Sequence, residues 1–174
     1  MNTSLLNLQP ELLENELIKL VPLNENHFET LFEKASDPLI WEQHPIKDRY
    51  KKEVFKPFFD AGINSKGAFL ILDRATNETI GTTRFYDYKP EESSIAIGFT
   101  FIARKFWGGN YNKSTKNLLI DYAFQNVNSI VFHVGADNIR SQKAVLKLGA
   151  TKINEINFPH NEIGILHYEY ELKK

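Results

Sequence analysis

Between Arg104 and Tyr111 the chain reads Arg-Lys-Phe-Trp-Gly-Gly-Asn-Tyr, two cations ahead of a glycine pair that runs directly into an amphipathic helical pattern. The first N–H groups of a helix have no intrahelical acceptor, and the aligned peptide dipoles leave partial positive charge there. Phosphate oxygens satisfy both. Gly108 and Gly109 let the backbone approach a ligand closely and reach positive φ, and Asn110 is one of the few non-glycine residues that tolerate the left-handed region. Arg104 or Lys105 would add charge. The same residues also suit an ordinary turn before a helix, so the context of the loop decides between an anion cradle and a turn.

Other residues with chemical potential lie outside the loop. Asn138 and Ser141 open a later helical pattern, three residues apart on one face of its first turn. Asn138 suits a helix cap as well as a ligand contact, and Ser141 suits a solvated side chain as well as a proton donor. For proton transfer the candidates are Tyr86, Asp87 and Tyr88 at one turn, Glu42 and His44 in an earlier segment, and His133 in a strand. A histidine titrates near neutrality and suits a base best, yet each of these also suits a surface or packing position. Arg84 fits either an acidic ligand or an ion pair with Glu91 or Glu92. The histidines form no His-Glu-x-x-His or other close metal pair, and there is no cysteine. No metal site, disulfide or thiol nucleophile is therefore expected.

The elements that must position these residues follow the order βααβββαβαββ. Residues 1–15 carry leucines without a clean period and are expected as a loosely attached arm on a single domain spanning 1–174. A strand from Glu16 to Val21 stops at Pro22; Asn24 then caps a helix with His27, Phe28, Leu31, Phe32 and Ala35 on one face. A second helix is expected from about Tyr50 to Ala61, closed by Gly62. Strands Ala68–Leu72, Thr79–Tyr86 and Ser94–Phe101 read as a meander that delivers the chain to the glycine loop. The following helix, Tyr111 to Gln125, should bury Leu118, Leu119, Tyr122, Ala123 and Phe124 and expose Lys113, Lys116 and Asn117. Strand Ile130–Val134 leads to a helix capped by Asp137 or Asn138 and ended by Gly149, and strands Ala150–Asn157 and Ile163–Leu172 follow, joined by Phe158-Pro159-His160-Asn161. This is a mixed α/β sheet with helices on its faces.

Composition bounds the function. With 21 Lys+Arg against 22 Asp+Glu, the formal net charge of −1 gives no overall drive toward nucleic acid or an anionic membrane, although a local basic patch is compatible with it. No apolar run approaches the ~18 residues of a membrane span, and the first residues lack a signal pattern. The expectation is a soluble, cytoplasmic protein, monomeric or homodimeric, with Tyr168 and Tyr170 exposed at a dimer seam or a substrate groove. The chain contains neither a Walker-type Gly-x-x-x-x-Gly-Lys-Ser/Thr nor a dinucleotide Gly-x-Gly-x-x-Gly after its first strand.

With a phosphate-type loop set between a meander and a long helix, the chain resembles the GNAT N-acetyltransferase superfamily, and within it the RimJ/RimL-type ribosomal-protein N-terminal acetyltransferases. Lys105-Phe106-Trp107-Gly108-Gly109-Asn110 aligns with the superfamily's Gln/Arg-x-x-Gly-x-Gly/Ala. Trp107 to Tyr111 aligns with the group's Trp-Gly-x-Gly-Tyr, and Asn138, Ser141 and Gly149 with its later Asn, Ser and Gly. Lys105 and Asn110 depart from the usual residue types, and Ala96 and Ser114 stand where many relatives carry Glu.

The resemblance implies an acyl-CoA N-acyltransferase fold, with a mostly antiparallel sheet splayed between the fourth and fifth expected strands. It implies acetyl-CoA as co-substrate, held by Phe99, Thr100, Phe101, Lys105, Trp107, Gly108, Gly109, Asn110, Tyr111 and Asn138. The reaction would be direct attack by an acceptor amine, on a small molecule or a protein N-terminus, in a ternary complex. Backbone N–H of the strand Ile97–Phe101 would polarise the thioester, Gly98 would let the strand splay or bulge, and Ser141 with Asn138 would serve the departing thiolate. A non-catalytic acetyl-CoA-binding module is the alternative, motivated by Ala96 and Ser114.

Overall fold

The computed structural model describes residues 6–159 and 164–174. Eight strands form one sheet: β1 (Leu13–Glu14), β2 (Ile18–Pro22), β3 (Ala68–Asp73), β4 (Thr79–Lys89), β5 (Ser94–Ile102), β6 (Ser129–Gly135), β7 (Thr151–Phe158) and β8 (Ile165–Lys173). Their spatial order is β1-β2-β3-β4-β5-β6-β8-β7, and every neighbouring pair is antiparallel except β5 and β6. The helices are α1 (Phe28–Ala35), α2 (Lys52–Ser65), α3 (Tyr111–Ala123) and α4 (Ile139–Lys147). Among the described residues no helix is long and apolar enough to cross a membrane.

The sheet carries a core on each face, and the alternation of β3 shows why. Phe69 and Ile71 join the cluster that includes Leu119 and Ile120 of α3 and Val145 of α4, whereas Ala68 and Leu70 join Leu31 of α1 and Phe55 of α2. A strand covered on both faces reads as a continuous apolar run, as Ala-Phe-Leu-Ile-Leu does here. The turn after β3 is closed by Asp73, whose carboxylate accepts from the backbone N–H (2.9 Å) and hydroxyl (2.7 Å) of Thr76.

The parallel pair is short. Only Ser94, Ile95 and Ala96 of β5 are in register with β6, opposite Ser129, Ile130 and Val131. Beyond Ala96 the two strands part, which is the expected splay. On its other edge β5 stays paired to β4, but with an extra residue: Thr82 faces Phe101 and Arg84 faces Gly98, so Phe99 and Thr100 oppose Thr83 alone. Phe99 takes a left-handed φ of 52°, which costs a non-glycine residue on the order of 1–2 kcal/mol. Gly98 beside it is compact for a second reason, because a Cβ there would lie 3.0 Å from the Tyr86 ring.

Several expectations need correction. Residues 6–15 are not a loose arm: Leu6 is buried in the core, Leu13 and Glu14 pair with β2, and the Gln9 side chain donates to the Ala68 carbonyl (2.7 Å). Residues 1–5, the turn residues His160 and Asn161, and Ile163 lie outside the described residues. Gly62 does not close α2, which runs on to Ser65 with Lys66 in the left-handed cap; Gly62 admits Arg84 and Leu23, whose side chains would lie 3.1 and 3.2 Å from a Cβ. Tyr170 is buried in the core rather than exposed, and Lys116 is buried rather than solvated. Gly149 does follow α4 at φ 94°, the left-handed stop expected of it.

Leu6 distinguishes a packed segment from a loose one. Leu6→Ala is expected to cost about 2 kcal/mol, the low end for truncation of a buried leucine. Urea denaturation monitored by circular dichroism measures it; an unshifted midpoint would mean that the segment contributes nothing.

Candidate active site

The loop after β5 is anchored before it is shaped. Arg104–Phe106 makes one 3₁₀ turn, and the Trp107 indole N–H donates to the Ile102 carbonyl at 2.7 Å. The Arg140 guanidinium lies 4.0 Å over the Trp107 ring and also donates to the Ile40 carbonyl (3.0 Å), tying the loop to α4. Gly108 adopts φ 75°, and a Cβ there would meet nothing within 4 Å, so glycine is needed for the backbone turn. Asn110, at φ −92°, is not left-handed as expected, and its side chain makes no capping bond to α3. The first N–H groups of α3 thus keep their capacity for an external acceptor.

The loop's own cations are committed elsewhere. Arg104 is paired with Asp37, and Lys105 with Glu78 at 2.7 Å, where Lys34 of α1 also reaches the carboxylate (3.3 Å). Tyr111 donates to Asp73 at 2.8 Å. Lys105 and Tyr111 therefore brace the loop from behind and do not line the cavity in front of it. That cavity, about 830 Å³, is lined by Trp107, Gly108, Gly109 and Asn110, with Thr100, Phe101, Asn138 and Ser141 deeper in. Its charged residues are Lys113, Lys116, Arg140, Lys143 and Lys147, and none forms an ion pair among the described residues. Sequence reasoning overlooked the last three, although their spacing of three and four residues places them along one face of α4.

A second cavity of about 390 Å³ opens where β5 and β6 diverge. It shares Trp41, Thr100, Lys116, Asn138 and Ser141 with the first, so the two meet at the splay. At the junction Asn138 is buried and caps α4, its side-chain oxygen accepting from the Ser141 N–H at 3.2 Å. This fixes the start of α4 and sets Ser141 at the wall of both cavities. Lys116 donates to the Thr100 hydroxyl at 2.6 Å, and Thr100 in turn bonds Thr83 at 2.9 Å. With no carboxylate beside it, burial pushes the Lys116 ammonium down to about 7.

The second cavity also gathers the proton-transfer candidates. The Tyr86 hydroxyl lies 2.7 Å from His133 Nδ1, and His133 Nε2 lies 2.8 Å from Glu169. A carboxylate accepts, so Nε2 carries hydrogen and Nδ1 accepts from the tyrosine. Burial, with the charge of Asp87 adding to it, pushes the Tyr86 hydroxyl well above the usual phenol range. His133 and Glu169 are direct cross-strand partners between β6 and β8, a relation hidden until register is known. Glu42, Asp87 and Tyr88 do not line either cavity; Asp87 instead faces Lys89 at 3.7 Å. His44 does, held down to about 3 by burial and by the charge of Arg49. Ser114, one of the positions at which the resemblance would place Glu, accepts a hydrogen bond from the Asn15 side chain at 2.7 Å.

The stretch that carries the glycine loop and the splayed strand pair falls within residues 18–151, which match the family model of the acetyltransferase (GNAT) domain. The chain belongs to the GNAT acetyltransferase family. It is an acyltransferase that uses acetyl-CoA. No curated protein matches its sequence at a significant level.

Solved GNAT-type structures share the fold at low identity. The GNAT-family acetyltransferase from Bacillus anthracis is 18% identical, covering 93% of this chain and 98% of that one with a TM-score of 0.76. The microcin self-immunity acetyltransferase MccE, in complex with acetyl-CoA and AMP, is 15% identical over 97% and 99% of the two chains, TM-score 0.77. A protein described as a ribosomal-protein-serine acetyltransferase from Vibrio cholerae is 14% identical over 95% and 99%, TM-score 0.77.

Lys116 yields a pH signature. Its folded pKa lies below the unfolded value, so between pH 7 and about 10 the unfolded chain binds more protons and stability rises with pH, by up to about 1.4 kcal/mol per unit. Lys116→Met removes that slope. Urea midpoints for both proteins at pH 7, 8 and 9 test it; parallel curves would place Lys116 in solvent.

Proposed function

We propose that this GNAT protein is an N-acetyltransferase in which acetyl-CoA occupies the larger cavity and an acceptor amine occupies the smaller, the amine attacking the thioester directly. The observation that carries the proposal is the meeting of the two cavities at Thr100, Lys116, Asn138 and Ser141, which allows a ternary complex without a covalent enzyme intermediate. The pyrophosphate would sit on the Gly108–Asn110 backbone at the start of α3, with Arg140, Lys143 and Lys147 supplying the charge that Arg104 and Lys105 do not. The edge of β5 freed beyond Ala96 would pair with the amide-bearing arm of the coenzyme.

In the reaction the amine nitrogen forms a bond to the thioester carbon and the carbon–sulfur bond breaks. The amine proton passes to the Tyr86 oxygen as the tyrosine proton moves to His133 Nδ1, leaving an imidazolium held by Glu169. No carboxylate lines either cavity among the described residues, so the local field also favours the neutral amine over ammonium. Ser141 donates a hydrogen bond to the departing sulfur. Lys116, titrating near 7, is acidic enough to protonate a thiolate whose ordinary pKa is about 8.5. The acceptor is a primary amine of a small molecule or a protein N-terminus; the Trp107–Tyr111 motif favours the RimJ/RimL-type group within the superfamily.

A Cβ at Gly109 meets only the Tyr111 ring, at 3.9 Å, so Gly109→Glu should fold while setting a carboxylate against the pyrophosphate. Calorimetric titration is expected to show acetyl-CoA binding to the parent protein and its loss in the variant. Equal binding would move the coenzyme off this loop. Tyr86→Phe is expected to lower kcat about 100-fold with acetyl-CoA affinity unchanged, measured by thiol release; an unaltered kcat would remove the Tyr86–His133–Glu169 chain from the proton path.

A further inference from the structure

The smaller cavity contains a cation that forms no ion pair among the described residues. Arg49 is 7% exposed and lines the cavity, and its Nε has no hydrogen-bond partner. Its Nη1 lies 3.1 Å from His44 Nε2, but the Ile46 N–H already points at Nδ1 of that ring at 2.9 Å. A neutral imidazole accepts at one nitrogen only, so one of these two donors goes without. The adjacent carboxylate, Asp48, faces Lys51 at 3.9 Å, and no ion pair to Arg49 exists among the described residues.

A second arginine compounds the imbalance. Arg84 is 6% exposed, its Nε is likewise unpartnered, and neither Glu91 nor Glu92 pairs with it. Both guanidinium groups pack on one ring, Arg49 at 4.5 Å and Arg84 at 5.8 Å from the Phe58 centroid, and Arg84 also lies 4.2 Å over Phe99. Phe58 and Phe99 are themselves cavity walls. Stacking on aromatic faces compensates a cation in part, and of the in-plane donors Arg84 Nη2 reaches the Phe58 carbonyl at 3.3 Å while both Nε atoms stay unpartnered. Burial and mutual repulsion hold the Arg49 guanidinium down to about 10, and burial does the same to Arg84. Buried charges are ordinarily paired, so two like charges with no ion-pair partner among the described residues mark a site ready for an anion.

We infer that this anion is a group of the acceptor itself: the substrate is a small amine that carries a carboxylate or phosphoryl group, bound by Arg49 with Arg84 behind it, on a largely apolar body. This names the substrate class of the acetyltransferase site proposed above and rests on that reading. The body is specified by Trp41, Phe58, Phe99, Phe132 and Phe158 around the cavity, and its volume of about 390 Å³ admits a molecule of amino-acid to dipeptide size. Arg49 is the binding residue, forking onto two oxygens as guanidinium does. Arg84 acts through the field it adds.

The test separates this inference from the parent reading. Acetyl transfer is measured with phenylalanine, phenylalaninamide and phenethylamine, and with phosphoethanolamine against ethanolamine, in the parent protein and in Arg49→Met. Binding of N-acetylphenylalanine and of N-acetylphenylalaninamide to the CoA-saturated protein is measured by calorimetry, which needs no turnover and keeps the coenzyme loop occupied. The expected result is that the carboxylate product binds at least 10-fold more tightly than its amide, that anionic acceptors lead in kcat/KM by a similar factor, and that Arg49→Met removes the preference while acetyl-CoA still binds. The carboxylate arm against the phosphoryl arm shows which anion is used. Equal or weaker binding of the anionic ligands, or a preference that survives Arg49→Met, overturns the inference even if amines are acetylated. Failure of acetyl-CoA to bind would instead overturn the parent reading.

Discussion

Everything in the site follows from the parting of β5 and β6 after three residues in register. A strand inside a sheet normally satisfies its N–H and C=O groups on both edges, and an edge opened within the molecule leaves groups that require another partner. Here β5 keeps its pairing to β4 and loses its pairing to β6, so the sheet's own hydrogen-bonding capacity becomes a ligand slot. The bulge at Phe99–Thr100 widens the gap, α3 closes one side of it and α4 the other. Both cavities are consequences of that single break.

Charge is segregated around the break. On the structural side acids and bases are matched: Glu78 holds Lys34 and Lys105, and Asp37 holds Arg104, while Asp73 organises a turn and accepts from Tyr111. On the cavity side Arg49, Lys116, Arg140 and Lys143 form no ion pair among the described residues. A chain with net charge −1 can therefore present a strongly positive interior surface, because the compensating acids lie elsewhere on the molecule.

The legible parts of the sequence were those governed by local rules. Gly108 and Gly149 announced left-handed turns, Asn138 announced a cap, and apolar runs announced strands, because each depends on a residue and its immediate neighbours. Lys116 was misread because position along the helix separates faces but does not say how far a face is covered; α3 lies against the splay, so the edge of its polar face is enclosed. Gly62 was misread for the opposite reason, since a glycine near a helix end looks like a stop unless the arginine passing over it is known. The pairing of His133 with Glu169, and of Arg49 with Arg84 across Phe58, is set by tertiary register and carries no mark in sequence spacing.

The anchoring of the glycine loop through Trp107 has an optical consequence. The chain contains two tryptophans, and both Trp41 and Trp107 line the larger cavity, one buried and the other beneath the Arg140 guanidinium. Intrinsic emission excited at the indole band therefore originates entirely from the walls of the two joined cavities, Trp107 from the larger and Trp41 from both, with no background from distant indoles, and the protein carries a label-free reporter of their polarity and occupancy.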